Sequence, residues 1–233
     1  MPELPRYKCH RTSTPPKLDG TMADPSWDDA PWTGEFVDIR GGDFPAPRFS
    51  TRAKLMYDDE YLYVGARLEE PHVWSTMAKK NTWLFEENNF ELFLDPDGDG
   101  QNYYEFEINP LGTIWELTLP KPYTEGGVRV DPTNLPGLRT AVHVDGTLND
   151  PADTDAGWSV ELALPWVDLA TYNQGQTLPA AGDEWRMNLM RIEWSHEVVA
   201  GAYRKGATQD FWVWSPQYEI DMHQPRHWGI LEF

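Results

Sequence analysis

The sequence has almost no cysteine and no long apolar run. Cys9 is the single cysteine among 233 residues, so an intrachain disulfide and a zinc site built on cysteine pairs are both excluded. No apolar run approaches the roughly 20 residues that a membrane-spanning helix requires. The sequence therefore predicts a chain that does not insert into a bilayer.

Positive charge is also scarce, which narrows the range of partners. Lysine and arginine total 19 against 38 for aspartate and glutamate, a formal net charge of −19. A negative charge of this size repels phosphate backbones and anionic lipid headgroups. Nucleic acid is therefore disfavoured as a partner. The expected partners are neutral molecules, cations or divalent metal ions.

Several targeting and enzyme signatures are missing as well. The first residues lack the basic and apolar regions of a secretory signal peptide, so the sequence leaves open a cytoplasmic chain or one whose leader was removed. The six histidines show no metal-binding spacing, and there is no nucleophile elbow, phosphate loop or dinucleotide fingerprint.

The chain contains many short strand patterns. Apolar and polar residues alternate over short runs that glycine, proline, aspartate and asparagine separate, which predicts an all-β domain of two packed antiparallel sheets, a jelly-roll or immunoglobulin-like sandwich with few short helical turns. We expect residues 1–17 to form an extended arm and residues 18–233 to form one domain. The predicted strands are 52–57, 61–69, 90–95, 103–109, 113–119, 138–145, 158–164, 185–194, 211–214 and 228–233.

An acidic turn separates two of these strands. Asp95, Asp97 and Asp99 stand at alternate positions before Gly100, as in the opening of a calcium loop. The position where an EF-hand has its bidentate glutamate is Phe106, so the motif is not an EF-hand. A structural calcium ion and a solvated hairpin turn are both open interpretations.

Three glutamates follow the same two strands. Glu105 and Glu107 point to one face of their strand, and Glu91 lies near them if the strands flanking the acidic turn pair. Paired carboxylates are typical of glycoside hydrolysis. The same residues would also serve as a solvent-facing polar row or as acceptors for sugar hydroxyls.

One later strand carries charged and amide side chains. Arg186, Asn188 and Met190 share one face of the strand, while Arg191 lies on the other face with apolar neighbours. An arginine in an apolar row must pair with a carboxylate or reach a ligand. Glu91 and Glu107 are the expected partners, in a structural ion pair or beside a ligand.

Aromatic residues are abundant, with twelve tryptophans, ten tyrosines and nine phenylalanines. Most should be core anchors, and we expect Trp158, Trp166 and Trp228 to be buried. The remainder would be available to stack on flat apolar ligand faces such as sugar rings.

Five motifs together resemble the family 9 carbohydrate-binding modules. They are YDDEYLYV at 57–64, NFELFLD at 89–95, GWSVELALPW at 157–166, WVWS at 212–215 and PRHWG at 225–229. The match runs from about residue 18 to the end. The sequence is more similar to the family 9-like proteins that carry the motifs found here as NYYEFEIN at 102–109 and DMHQP at 221–225.

The resemblance implies a sandwich, within the DOMON-like superfamily, that grips the terminal sugar of a glycan between two aromatic rings. It also implies bound calcium and, if a leader was removed, a secreted or periplasmic location. The family's carboxylate and amide fall on Glu91 and Asn109. Its first stacking tryptophan falls on Phe85, with Trp83 two residues away. Its second falls on Met222.

Three functions are open at this point. The first is non-catalytic binding of an oligosaccharide or polysaccharide end, with Phe85 or Trp83 as the platform and Trp214 as a possible second wall. Its expected polar partners are Glu91, Glu107, Asn109 and Arg191. The second is an enzyme acting on O-glycosyl bonds through Glu91 with Glu105 or Glu107. The third is a haem- or small-molecule-binding sandwich, with Met222 and His223 as axial ligands.

The family's site arginine falls on Glu107, which reverses the charge at that position. This substitution favours a ligand with hydrogen-bond donors there, such as a neutral or amino sugar, over a uronic acid.

Overall fold

The computed structural model describes residues 3–233, and in them the chain forms strands joined by loops and few short helical turns. The one α-helical turn is α1 Trp166–Leu169, which directly follows Pro165. No helix in the described residues is long and apolar enough to cross a membrane. The strands are β1 Arg6–Lys8, β2 His10–Arg11, β3 Val37–Asp38, β4 Thr51–Tyr57, β5 Tyr61–Glu69, β6 Asn89–Asp95, β7 Tyr103–Ile108, β8 Ile114–Leu119, β9 Arg139–Asp145, β10 Gly157–Pro165, β11 Glu184–Val199, β12 Ala202–Val213 and β13 Gly229–Glu232.

These strands form two sheets, which confirms the all-β sandwich. One sheet has eight strands, in the order β1-β13-β11-β6-β7-β8, with β12 beside β11 and β3 beside β12. The other has five, in the order β2-β4-β5-β10-β9. Apart from β1 with β13 and β2 with β4, the strand pairs of residues 3–233 are antiparallel.

The main core lies between the two sheets. Alternate residues of each central strand point into it: Phe90, Leu92 and Leu94 of β6 face side chains such as Leu162 and Leu164 of β10. Trp158 and Trp166 are buried in this core, as the sequence predicts, and Trp228 is buried on the other side of the eight-stranded sheet.

The N-terminal segment belongs to both sheets. β1 pairs with β13 and β2 pairs with β4, and the amide of Cys9 donates to the carbonyl of Glu232 at 2.7 Å. Met1 and Pro2 lie outside the described residues. The remainder of the predicted arm 1–17 is thus tied into the sandwich by backbone hydrogen bonds at residues 6–11, and it is more than an outer wrapping.

The outer face of the eight-stranded sheet is largely apolar and buried, and this feature creates the site. An antiparallel sheet facing water would carry polar residues there. Here a second buried cluster covers the face, and loop residues such as Leu84 and Met222 complete it. Its strand members include Phe93, Tyr103, Trp115, Leu117, Met190 and Ile192.

Candidate functional site

A cavity of about 370 Å³ opens on this outer face, and we call it the outer pocket. Its volume falls within the roughly 300–1,000 Å³ typical of small-molecule sites. The lining residues on strands include Glu91, Phe93, Glu105, Glu107, Trp115 and Met190. The loops contribute Phe85, Tyr123, Arg129, Asp221, Met222 and His223.

The three glutamates of the sequence analysis lie together in the outer pocket. Glu91 of β6 is directly opposite Glu107 of β7, and Glu105 shares the face of Glu107. One carboxylate oxygen of each lies within 4.8 Å of the others. Because these residues are only 1%, 1% and 5% exposed, the interpretation as a solvent-facing polar row is wrong.

The hydrogen bonds to these carboxylates are incomplete. Nδ2 of Asn89 donates to Oε1 of Glu91 at 2.9 Å and to Oε2 of Glu107 at 3.0 Å. Oε2 of Glu105 is buried without a hydrogen-bond partner. Nε2 of His223 lies 4.0 Å away, which is beyond hydrogen-bond distance. The outer pocket therefore presents an acceptor that the protein does not itself satisfy.

Burial determines the protonation of the three glutamates and of His223. It raises the pKa of Glu91 to about 8, since a charged carboxylate loses its hydration there. Burial, reinforced by the neighbouring carboxylates, raises the pKa of Glu105 and Glu107 well above the usual range. It lowers the pKa of His223 to about 4, so this imidazole is neutral at neutral pH. Its Nδ1 is 3.0 Å from the hydroxyl of Tyr103.

Aromatic side chains form a continuous wall beside the carboxylates. The rings of Phe85 and Trp115 have centroids 5.9 Å apart. Trp83 does not line the outer pocket, but its ring stacks on Phe85 at 6.0 Å and is 53% exposed. The guanidinium of Arg129 lies 5.5 Å from the ring centroids of both Trp83 and Trp115. The aromatic wall that Phe85 and Trp83 form therefore extends to Trp115.

Met222 is held in place from two sides. Its carbonyl accepts a hydrogen bond from Nε1 of Trp228 at 2.9 Å, and Nδ2 of Asn188 lies 3.8 Å from its sulfur. Both Met222 and His223 line the outer pocket, as the site prediction requires.

Asn109 lies outside the set of lining residues. Its Nδ2 donates to the carbonyl of Met77 at 2.8 Å, and its Oδ1 accepts from the amide of Thr113 at 3.0 Å. The side chain thus closes the turn between β7 and β8. Because its amide is used by the backbone, the structure does not support Asn109 as a hydroxyl partner.

Arg191 also lies elsewhere, in the interior between the sheets. It is 1% exposed and pairs with Glu70 at 2.7 Å and Glu193 at 2.8 Å. The expected pairing with Glu91 or Glu107 is wrong because Met190, and not Arg191, stands opposite Glu91 in the strand register. Arg191 therefore forms structural ion pairs with Glu70 and Glu193.

Trp214 is a core residue too. It is 6% exposed and packs in the main core, on the face of the sheet opposite the outer pocket. A Cβ atom on Gly229 would lie 2.5 Å from its ring, which explains the glycine there. Trp214 cannot supply a second wall to the outer pocket.

The acidic turn joins β6 to β7 and brings Asp95, Asp97 and Asp99 together. One oxygen of each lies within 4.8 Å of the others. Oδ2 of Asp95 accepts from the amide of Gly100 at 2.9 Å, whereas its Oδ1 is buried without a partner. Burial raises the pKa of Asp95 to about 7. Hard oxygen donors and an unpaired buried oxygen fit the coordination that Ca²⁺ prefers.

The arrangement suits binding better than glycoside hydrolysis. Hydrolysis uses two carboxyl groups that flank the scissile bond. Glu91, Glu105 and Glu107 instead project from one sheet face and would approach a ligand from the same side. Similarly, no feature of the described residues around Met222 and His223 favours a haem.

Sequence reasoning missed several lining residues. Trp115 of β8 is opposite Glu107, so period-two alternation places it beside the carboxylates. Asn89 is not a lining residue, but it shares the face of Glu91 for the same reason and donates to its carboxylate. Tyr123 and Arg129 come from the segment after β8, where no periodic signal marks them.

The fold and the outer pocket together define a β-sandwich ligand-binding domain. The family model described as "Carbohydrate family 9 binding domain-like" matches residues 18–232. The chain belongs to this family, and non-catalytic carbohydrate binding is the function of its domain.

Two curated relatives match about half of the chain. The exoglucanase XynX of Acetivibrio thermocellus is 28% identical over 121 residues. The endo-1,4-beta-xylanase A of Thermoanaerobacterium saccharolyticum is 27% identical over 120 residues. Each alignment covers 52% of this chain and 9% of the enzyme. The chain thus aligns with less than a tenth of the length of these relatives.

Solved structures share the fold over nearly the whole chain. A candidate carbohydrate-binding protein of Bacteroides uniformis gives a TM-score of 0.72 at 15% identity, over 99% of this chain and 100% of its own. A family 9 carbohydrate-binding module of Caldicellulosiruptor kristjanssonii in complex with cellotriose gives 0.60 at 15% identity, over 97% and 92%. The same type of module with glucose gives 0.60 at 16%, over 97% and 94%. These likenesses confirm the sandwich.

Proposed function

We propose that the outer pocket is the carbohydrate site and that it receives the end of an oligosaccharide or polysaccharide. The observation that carries the proposal is the meeting, in one cavity, of buried carboxylates with an aromatic wall. Sugar rings combine apolar faces with hydroxyl donors, so they require both kinds of surface. The main core and the acidic turn offer only one of the two.

Each part of the outer pocket has a distinct role in this proposal. Phe85 and Trp115 provide the surface on which a pyranose stacks, and Trp83 continues it outward for a second sugar unit. Glu91 and Glu107 accept hydrogen bonds from hydroxyl groups and orient the ring. Each such bond replaces one to water, so the carboxylates contribute specificity more than net affinity.

The expected ligands are short β-linked gluco- and xylo-oligosaccharides. Support comes from the neighbours, since one module is described with cellotriose and glucose, and from the relatives, which are an exoglucanase and a xylanase. Met222 stands where the resembling family has its second stacking ring, so stacking is less extensive here. We expect weak binding, with a Kd on the order of millimolar.

Calorimetric titration with cellotriose, xylotriose and glucose tests this assignment. Phe85→Ala should reduce the affinity about tenfold, because it removes a stacking ring and its buried area. Phe44→Ala is the matched control, since Phe44 is an exposed ring outside the outer pocket. Equal losses in the two variants, or no binding of any of these sugars by the wild type, would contradict the proposal.

A structural calcium ion is part of the same proposal. Asp95, Asp97 and Asp99 would hold it, and it would neutralise the buried carboxylate of Asp95 and fix the β6–β7 turn. The ion would contribute to stability, and no role in contacting the sugar is assigned to it. The unpaired Oδ1 of Asp95 is the supporting observation.

A further inference from the structure

The outer pocket has more buried acid than its own side chains balance. Three glutamates line it, and Asp221 adds a fourth carboxyl group. Arg129 is the one lysine or arginine among its described lining residues, and Nε of Arg129 already lies 3.3 Å from Oδ2 of Asp131. Buried carboxylates without a counter-charge are costly, so these groups hold protons while no cation is bound, and a cation that enters the pocket would ionise them and take the place of the protons.

Glu105 is the glutamate of this set that has an unpaired buried oxygen. It is 5% exposed, and its Oε2 has no hydrogen-bond partner. His223 is the nearest basic side chain, at 4.0 Å, and burial keeps its imidazole neutral at neutral pH. An unpaired acceptor beside two further carboxylates is the arrangement that a cationic donor would complete.

The walls indicate what kind of cation fits. Phe85, Phe93, Trp115, Tyr123 and Phe211 line the same cavity. Aromatic faces attract cations through their quadrupole and also stack on apolar ring faces. A cavity of about 370 Å³ with such walls suits an organic cation better than a bare metal ion.

We propose that the outer pocket prefers sugars with a protonated amine over their neutral counterparts, with the ammonium group among Glu91, Glu105 and Glu107. This inference rests on the proposed carbohydrate site and names its ligand class as amino sugars. The ammonium group donates up to three hydrogen bonds, and it would satisfy Oε2 of Glu105. The net charge of −19 would assist the approach of such a ligand.

The test compares ligands that differ in one group. Cellobiose and fully deacetylated chitobiose are titrated calorimetrically at pH 6, in buffer with chelator, and N-acetylated chitobiose serves as the uncharged nitrogen control. We expect deacetylated chitobiose to bind at least about tenfold more tightly than cellobiose, because hydrogen bonds between charged partners are the stronger kind. The acetylated sugar should show no such gain.

Variants then locate the preference. Glu105→Gln keeps the shape and removes the group that an ammonium ion would ionise, so it should reduce the preference to near unity while cellobiose binding changes little. Glu219→Gln removes an equal charge from a side chain that is 62% exposed and outside the outer pocket, so the preference should persist. Melting curves establish that each variant folds, and Glu105→Asp, which withdraws the carboxyl group by one methylene, replaces Glu105→Gln if the latter does not.

The outcomes separate this inference from the function on which it rests. Cellobiose binding with no gain for the amino sugar would overturn the inference and leave the carbohydrate site intact. No binding of any sugar would overturn both. An equal loss of preference in Glu219→Gln would show attraction to overall charge, which also overturns the inference. So would tight binding of Mn²⁺ titrated alone that Glu105→Gln abolishes, since the carboxylates would then be a metal site.

Discussion

The outer faces of both sheets bury glutamate side chains, and Glu161 of one sheet and Glu105 of the other differ in their partners. Glu161, on the five-stranded sheet, is 0% exposed and accepts hydrogen bonds from the amides of Asp19 and Gly20 and from Nε1 of Trp27, at 3.0, 2.5 and 2.7 Å. Glu105, on the eight-stranded sheet, faces a cavity with one oxygen unpaired.

This difference separates an acid that the fold satisfies from one that the fold leaves open to a ligand. The loop of residues 19–27 covers Glu161 completely, and Gly65 lets that loop approach, since a Cβ there would lie 2.5 Å from Cε of Met22. No equivalent segment covers Glu105 in the described residues. A buried carboxylate whose acceptors are satisfied by its own chain stabilises the fold, whereas one that is left open predicts a ligand.

The largest expected effect is on stability, at Glu161. Glu161→Ala should cost about 2–4 kcal/mol in the free energy of unfolding, since it leaves two buried donors and one part-buried donor without an acceptor. Urea unfolding measures this loss. Asp28→Ala, at an exposed acid directly after the covering loop, is the control and should change stability by less than about 0.5 kcal/mol. Sugar binding by the folded Glu161→Ala protein should be retained.

At Glu91, in contrast, removing the carboxyl group should stabilise the protein, and the size of this effect should depend on pH. Its pKa is raised from 4.5 to about 8 in the folded state, so unfolding releases a proton between these values. The contribution of the protonated Glu91 to the free energy of unfolding is complete below about pH 4.5 and is lost as the pH rises through about 8. Glu91→Gln should therefore raise the melting temperature more at pH 8 than at pH 5.

A melting-temperature difference between Glu91→Gln and wild type that is the same at both pH values would contradict the raised pKa. Glu60→Gln, at an exposed acid in the turn between β4 and β5, is the control for a general effect of charge and should show no such trend.

The sequence predicted the sandwich because its central strands carry the period-two pattern, and the turns at 58–60 and 95–100 carry aspartate and glycine. It missed β1, β2 and β3, which have only two or three residues each. It also shortened β11 and β12. Their outer halves, joined at Ala200 and Gly201 with φ of 54° and 77°, are largely polar and exposed, so alternation does not reveal them.

The site was predicted only in part, for a related reason. Alternation shows which residues share a face, and it correctly grouped Glu105 with Glu107. It does not show which face is internal or how neighbouring strands are aligned. Arg191 and Trp214 were therefore assigned to the wrong side of the sheet, because the register that pairs Met190 with Glu91 is a long-range property.

A smaller stability effect is expected from calcium at Asp95. Millimolar Ca²⁺ should raise the melting temperature relative to chelator, because an ion that binds only the folded state stabilises it by mass action. At a concentration of about 100 times the Kd, the gain is about 2.7 kcal/mol. Asp95→Asn should abolish the difference, and Asp43→Asn, at an exposed aspartate elsewhere, should retain it. Identical melting curves with ion and with chelator would exclude calcium from this turn.

The smallest expected effect is a gain of affinity in the outer pocket. Met222→Trp places a ring where the resembling family has one, and an aromatic contact contributes about 0.5–1.5 kcal/mol beyond its buried area. We expect binding of cellotriose to tighten about threefold to tenfold, as calorimetry would measure. Met77→Trp is the control, since Met77 contacts the same apolar cluster without lining the cavity. A variant at Met222 that gains nothing for any neutral sugar, although it folds normally, would mean that the sugar ring does not lie beside this residue. The carboxylates on this sheet face would then hold the ligand without help from a ring at position 222.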